Sequence, residues 1–347
     1  MYALSVFVLI ELWACGNCAA DAPPHKPSGH TLCTVSTCFL SNETSLRFFL
    51  LGDWGGLPVW PYWTPIQLSV ANVMAAIGAK DKTHFQIALG DNFYMTGYWN
   101  HKFFQKTFEN IYSDKSSMYK PWVFPKNYYK IQYELPNNLK IDIIMIDTII
   151  LCGNTLEGKL DGFFDYVITH VTTPKNQKLQ PSDVEAAEKQ WSWIEEQLAN
   201  SNANYVFVAG HYPVYSTGEH GPTACLVDRL RPLLHKYKVN AYFSGHDHNL
   251  QHLNETDESG WMVHYVVSGS GAYESRSIEN KAAVPPGSST FFYPHKQNWF
   301  KDTAAKLGIG NGGFVYAEVG EAETSFRYIS STTKPMHEFK LKPRMKL

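Results

Sequence analysis

Leu46-Arg47-Phe48-Phe49-Leu50-Leu51-Gly52-Asp53 sets the fold expected of this 347-residue chain. A continuous apolar run stopped by glycine reads as a strand buried on both faces. Over Thr64–Ala79 the pattern turns helical, with Ile66, Val70, Val73, Met74 and Ile77 on one face. Phe85-Gln86-Ile87-Ala88-Leu89 is a second buried run, closed by Gly90. Strand, helix and strand in that order predict a parallel pair with a crossover helix, and so an α/β fold.

The same grammar continues outward. Strands are expected at Ile141–Ile146, Tyr205–Ala209, Ala241–Ser244, Met262–Val267, Phe314–Val319 and Ser325–Ile329. Val184–Leu198 is an amphipathic helix with an N-cap at Ser182 or Asp183, and Leu226–Tyr237 is another helix. No repeat and no shift of composition divides residues 45–347, which are expected to form one domain. Residues 21–44, rich in Pro, Ser, Thr and Gly, are expected to be a loose leader. Residues 1–20 read as an export signal, because the apolar run Tyr2–Trp13 is too short to span a bilayer and small residues follow it.

Export fits the cysteines. Cys33, Cys38, Cys152 and Cys225 remain after the signal, enough for two bridges in any of three pairings. Sequons at Asn42 and Asn254 suit a secreted or lysosomal glycoprotein. The formal charge of −2 gives no electrostatic case for nucleic acid or an anionic membrane, and nothing later in the chain is long and apolar enough to span.

Four expected strands end in glycine followed at once by a side chain able to hold a metal. These are Gly52-Asp53, Gly90-Asp91, Gly210-His211 and Gly245-His246, with His248 two residues further on. In an open parallel sheet such strand ends meet at one crevice. Carboxylates bridge hard cations, and imidazole suits Fe, Zn or Mn. Two cations can clamp the attacking and leaving oxygens of a phosphoryl displacement and supply hydroxide as the nucleophile.

Gly52-Asp53-Trp54-Gly55-Gly56, Gly90-Asp91-Asn92-Phe93-Tyr94, Gly210-His211-Tyr212-Pro213 and Gly245-His246-Asp247-His248-Asn249 resemble the calcineurin-like metallophosphoesterases. Tyr94, three residues after Asp91, narrows the resemblance to purple acid phosphatases. Glu219-His220-Gly221-Pro222 and the length narrow it to the small animal, tartrate-resistant type. The resemblance implies a β-sandwich of two mixed sheets flanked by helices, and a monomeric acid phosphatase acting on phosphate monoesters by metal-hydroxide attack. It implies Fe(III) held by Asp53, Asp91, Tyr94 and His248. Asp91 would bridge to a second divalent ion, Fe(II) or Zn, bound by His211 and His246. It further implies a Cys152–Cys225 disulfide, with Glu219 and His220 lining the substrate mouth as catalytic residues.

One element of the family pattern is missing. A Gly-Asn-His-Asp or Gly-Asn-His-Glu motif should lie between Asp91 and Ile141. Its Asn binds the second metal and its His contacts substrate. Here Lys120-Pro121-Trp122-Val123 resembles the approach to it, and Phe124-Pro125-Lys126-Asn127-Tyr128-Tyr129 resembles sequence well beyond it. Asn127 aligns past the gap and is a poor substitute. Impaired catalysis is the expectation, with an inactive, secreted metal-binding glycoprotein as the alternative.

Overall fold

The computed structural model describes residues 7–10, 31–33, 37–57, 60–94, 104–112, 122–154 and 179–344. Two mixed sheets stack face to face between helices, as the resemblance implies. The first runs in the order β16 (Pro335–Leu341), β15 (Thr324–Ile329), β14 (Phe314–Val319), β4 (Leu46–Leu51), β5 (Phe85–Ala88), β1 (Phe7–Ile10), β6 (Trp122–Val123). The second runs β13 (Ser289–Tyr293), β11 (Leu250–Thr256), β12 (Met262–Ser268), β10 (Ala241–Ser244), β9 (Tyr205–Ala209), β8 (Lys140–Met145), β7 (Tyr129–Glu134), β3 (Thr37–Leu40), β2 (Thr31–Cys33).

Alternation along β4 explains why its run is apolar throughout. Phe48 and Leu50 face the second sheet, in one core with Phe85, Ile87, Tyr133, Ile143, Phe207 and Phe243. Phe49 and Leu51 face outward onto helix α1 (Pro65–Asp81), against Ile66, Val70, Met74 and Ile77. Thr64 caps α1 by accepting from the Gln67 amide. β4 and β5 run parallel with Leu50 opposite Ile87, so the expected β-α-β unit is present. On the outer face of the second sheet, Ile144, Val206, Val208 and Tyr242 pack with side chains of α2 (Thr148–Cys152), α3 (Val184–Ala199) and α4 (Arg231–Lys236). Asp183 caps α3. A disulfide joins Cys152 to Cys225.

Three features depart from expectation. The leader is not loose throughout: β2 and β3 form a hairpin, and β3 adds parallel to β7. Cys38 and Leu40 enter the core, and Cys38, opposite Cys33 in the hairpin register, is disulfide-bonded. Two alternate buried residues were enough to recruit a segment without an extended apolar pattern. The helix expected over Leu226–Tyr237 opens with a π-turn at Leu226–Leu230 before α4, which begins at Pro232's turn, where one amide donor is missing. Phe7–Ile10, inside the expected export signal, pairs antiparallel with both β5 and β6; the rest of residues 1–20 lies outside the described residues.

Away from the strand exits, a file of imidazoles bridges the sheets. His252 Nε2 is 3.0 Å from His264 Nδ1, and His252 Nδ1 is 3.0 Å from His337 Nε2. Phe339 stacks on the His252 ring at 3.7 Å between centroids. Among the described residues no carboxylate offsets the burial that depresses the pKa of all three.

Candidate metal centre

The four Gly-ligand exits meet at one rim, but from two sheets. β4 and β5 deliver Asp53 and Asp91 from one; β9 and β10 deliver His211, His246 and His248 from the other. Backbone hydrogen bonds stitch the exits together: Asp53 N donates to Gly90 O at 3.0 Å and Gly245 N to His211 O at 3.0 Å. Glycine is required where the turns touch. A Cβ at Gly90, whose φ is +101°, would lie 2.3 Å from His211 Nδ1, and one at Gly245 would lie 2.4 Å from Asp53 Oδ2. Asp53, Asp91 and His246 themselves adopt left-handed backbone, with φ of 57°, 48° and 69°.

The side chains gather in two sets that share Asp91. One comprises Asp53, Asp91 and His248; the other Asp91, His211 and His246. Within each set one ligand-capable atom per residue lies within 4.8 Å of the others. Tyr94 joins the first set, its hydroxyl 2.9 Å from His248 Nε2 and 3.3 Å from Asp53 Oδ1. All six predicted ligands therefore belong to one cluster.

The cluster is built to receive cations. His211 Nδ1 lies 2.9 Å from the Leu89 carbonyl, which can only accept, so Nδ1 donates there and Nε2 is left to face the cluster. Among the described residues that Nε2 is buried without a hydrogen-bond partner, 3.7 Å from Asp91 Oδ2. A buried ring nitrogen left unsatisfied beside a carboxylate is costly, and a cation between the two would satisfy both. Burial, with the Asp53 charge adding, pushes the Asp91 carboxyl up to about 6 against the pull of His211 and His248. Burial disfavours charge on His248, yet the Asp53 carboxylate 3.6 Å away and the charges of Glu219 and Asp91 prevail and raise its pKa.

Above the cluster, the exposed His220 ring stacks on His246 at 4.2 Å. Glu219 pairs with Lys306 at 3.3 Å. Residues missed by the sequence reading hold this mouth. Asp247 is fully buried, accepts from the Ser216 hydroxyl, and accepts from the His220 amide at 3.1 Å. Gln251 takes the Thr217 amide and hydroxyl, both at 2.9 Å. Tyr273 flanks His248 and Tyr94, with ring centroids at 5.6 and 5.3 Å. Asp247 sits between two predicted ligands, a position that could have exposed its role; nothing local marks Gln251 or Tyr273. Asn127 is exposed in the bend before β7.

The family model for calcineurin-like phosphoesterases matches residues 46–250. This chain belongs to that family. Among other members, tartrate-resistant acid phosphatase type 5 of Rattus norvegicus is 37% identical over 330 residues, covering 87% of this chain and 91% of the relative. The Homo sapiens protein of that name is 37% identical over 329 residues, covering 86% and 92%. Purple acid phosphatase 7 of Arabidopsis thaliana is 27% identical over 316 residues, covering 87% and 88%. A solved structure titled "GAP50 the anchor in the inner membrane complex of Plasmodium" superposes with a TM-score of 0.63 at 21% identity, covering 88% of this chain and 90% of that one, a likeness of fold. A calcineurin-like phosphoesterase related to purple acid phosphatases implies a dinuclear metal centre, and the two sets sharing Asp91 fit one.

Proposed function

We propose that this phosphoesterase is an acid phosphatase hydrolysing phosphate monoesters. The observation that carries the reading is Asp91, common to both ligand sets and so placed to bridge two ions. Asp53, Asp91, Tyr94 and His248 would hold Fe(III), the phenolate giving colour; Asp91, His211 and His246 would hold Fe(II) or Zn. When bound, the pair supplies Lewis acidity toward phosphoryl oxygens and hydroxide at mildly acid pH. The chain's own groups do the rest. His211 is pre-oriented by Leu89, Asp247 fixes the loop of Glu219 and His220, and the exposed His220 imidazole is available to substrate or leaving group.

The missing Asn/His motif bears on rate. Without its Asn the second ion keeps three protein ligands, and without its His one acid-base contribution of about 10²–10⁴ is lost. The enzyme is therefore proposed to be impaired. The same absence favours a second reading, an inactive, secreted metal-binding glycoprotein. Support for export comes from residues 1–20; Asn42, exposed in the turn after β3, is open to a glycan, and Asn254 is half-buried in β11. Aryl phosphate hydrolysis measured with and without tartrate, beside the visible spectrum and metal content, separates the readings. Colour with slow, tartrate-insensitive turnover supports the first; colour without turnover supports the second; neither colour nor bound metal refutes both.

A further inference from the structure

Large apolar side chains are seldom left exposed in a cluster without a partner. Here Trp299, Phe300, Leu307 and Ile309 are 77%, 68%, 64% and 58% exposed, all on or just after helix α5 (Trp299–Lys306). Phe300 and Leu307 are seven residues apart, which places them within roughly 20° of each other around a helix. His295, Lys296 and Lys301 flank the aromatic pair in sequence and are exposed. The nearby acid, Asp302, pairs with Arg276 at 3.3 Å, and that guanidinium also holds Glu274 at 3.1 Å. Among the described residues no ion pair holds Lys296 or Lys301, so the segment joins aromatic rings to exposed lysines, although the chain as a whole carries −2.

This patch is fixed to the wall of the metal centre. The Ala305 carbonyl accepts from the Glu274 amide at 3.1 Å, and the next residue, Ser275, donates its amide to His248 O at 2.6 Å. Lys306 reaches Glu219 beside the exposed His220. Thr64 and Gly308 pack together, with the Ile66 amide donating to Gly308 O at 3.1 Å, so the turn after α5 is also held. The patch is a fixed ledge beside the mouth.

We infer that this ledge docks the protein on an anionic lipid surface, with Trp299, Phe300, Leu307 and Ile309 entering the interface and Lys296 and Lys301 meeting lipid headgroups. Tryptophan and phenylalanine partition into the headgroup boundary, and each lysine near an anionic bilayer adds electrostatic attraction. A second copy of this chain suits the ledge less well, because like-charged lysines would face each other around any self-contact. Docking does not depend on turnover, so it stands or falls apart from the phosphatase reading.

The test is flotation of the full, metal-loaded protein with vesicles of phosphatidylcholine, alone or mixed with phosphatidylserine. Binding should favour the mixed vesicles and weaken with salt. Replacing Trp299→Ser and Phe300→Ser together should reduce partitioning by about a hundredfold, roughly tenfold per ring. Lys296→Glu with Lys301→Glu should abolish the preference for phosphatidylserine. Brominated lipid should quench tryptophan emission in the wild type, and Trp299→Phe should lose that quenching. Absence of binding to either vesicle overturns the inference, as does binding unchanged in the Ser variant. So does a wild-type dimer in light scattering that the Ser variant dissolves, which would make a second copy the occupant.

Discussion

Mild acid should destabilise this protein through His252 and His264. In the unfolded chain an imidazole of ordinary pKa 6.5 is almost fully protonated at about pH 5. In the fold, burial and the neighbouring His264 and His337 push His252 down to about 2, and burial pushes His264 down to about 4. The unfolded state therefore binds protons that the native state refuses, and stability falls as pH drops below 6.5 toward those folded values. Over the 1.5 or so pH units from 6.5 to 5, each histidine costs about 2 kcal/mol, so the pair costs at most about 4. The surroundings fit that refusal: both ring nitrogens of His252 face another imidazole nitrogen at 3.0 Å, and the Thr290 hydroxyl, 2.9 Å from Nδ1, is a neutral partner that supplies no countercharge. Urea denaturation from pH 8 to 5 should show this slope, and His252→Gln should lose about half of it. Comparing slopes cancels the metal ligands, which both proteins share. Parallel pH profiles for wild type and variant would refute the reasoning, whatever their offset.

Gly90→Ala should displace His211, whose Nδ1 lies 2.3 Å from the added methyl position, and weaken the second ion by about 10–100-fold, read by metal analysis of the dialysed protein. Replacing Cys152 and Cys225 by Ala opens a loop of 73 residues and should cost about 4 kcal/mol in urea denaturation. Asp247→Asn weakens the grip on Ser216 and the His220 amide; kcat/KM for an aryl phosphate should fall about tenfold while metal content holds.

Period and punctuation made the inner strands and α1 readable, because burial on both faces leaves an uninterrupted apolar run. β4 and β9 have their expected limits, Leu46–Leu51 and Tyr205–Ala209. The gathering of Asp53, Asp91, His211, His246 and His248 was readable from glycine before each exit, although convergence comes from two facing sheets instead of one. Edges were harder. β3 contributes Cys38 and Leu40 to the core from a stretch rich in Ser and Thr, and β1 pairs through backbone groups that any sequence provides. Support residues were invisible for a different reason: Gln251 and Tyr273 act through partners distant in the chain, and local pattern carries no record of them.

Positive φ at Asp53, Asp91 and His246 has a bearing on mutagenesis. Asparagine tolerates that conformation about as readily as aspartate, whereas valine or isoleucine resists it. Exchanging Asp91 for Asn removes a charge and leaves the chain's path alone; exchanging it for Val bends the exit of β5 as well. Inactive proteins from the two exchanges would look identical in an assay and differ in shape, so only the amide reports on chemistry by itself.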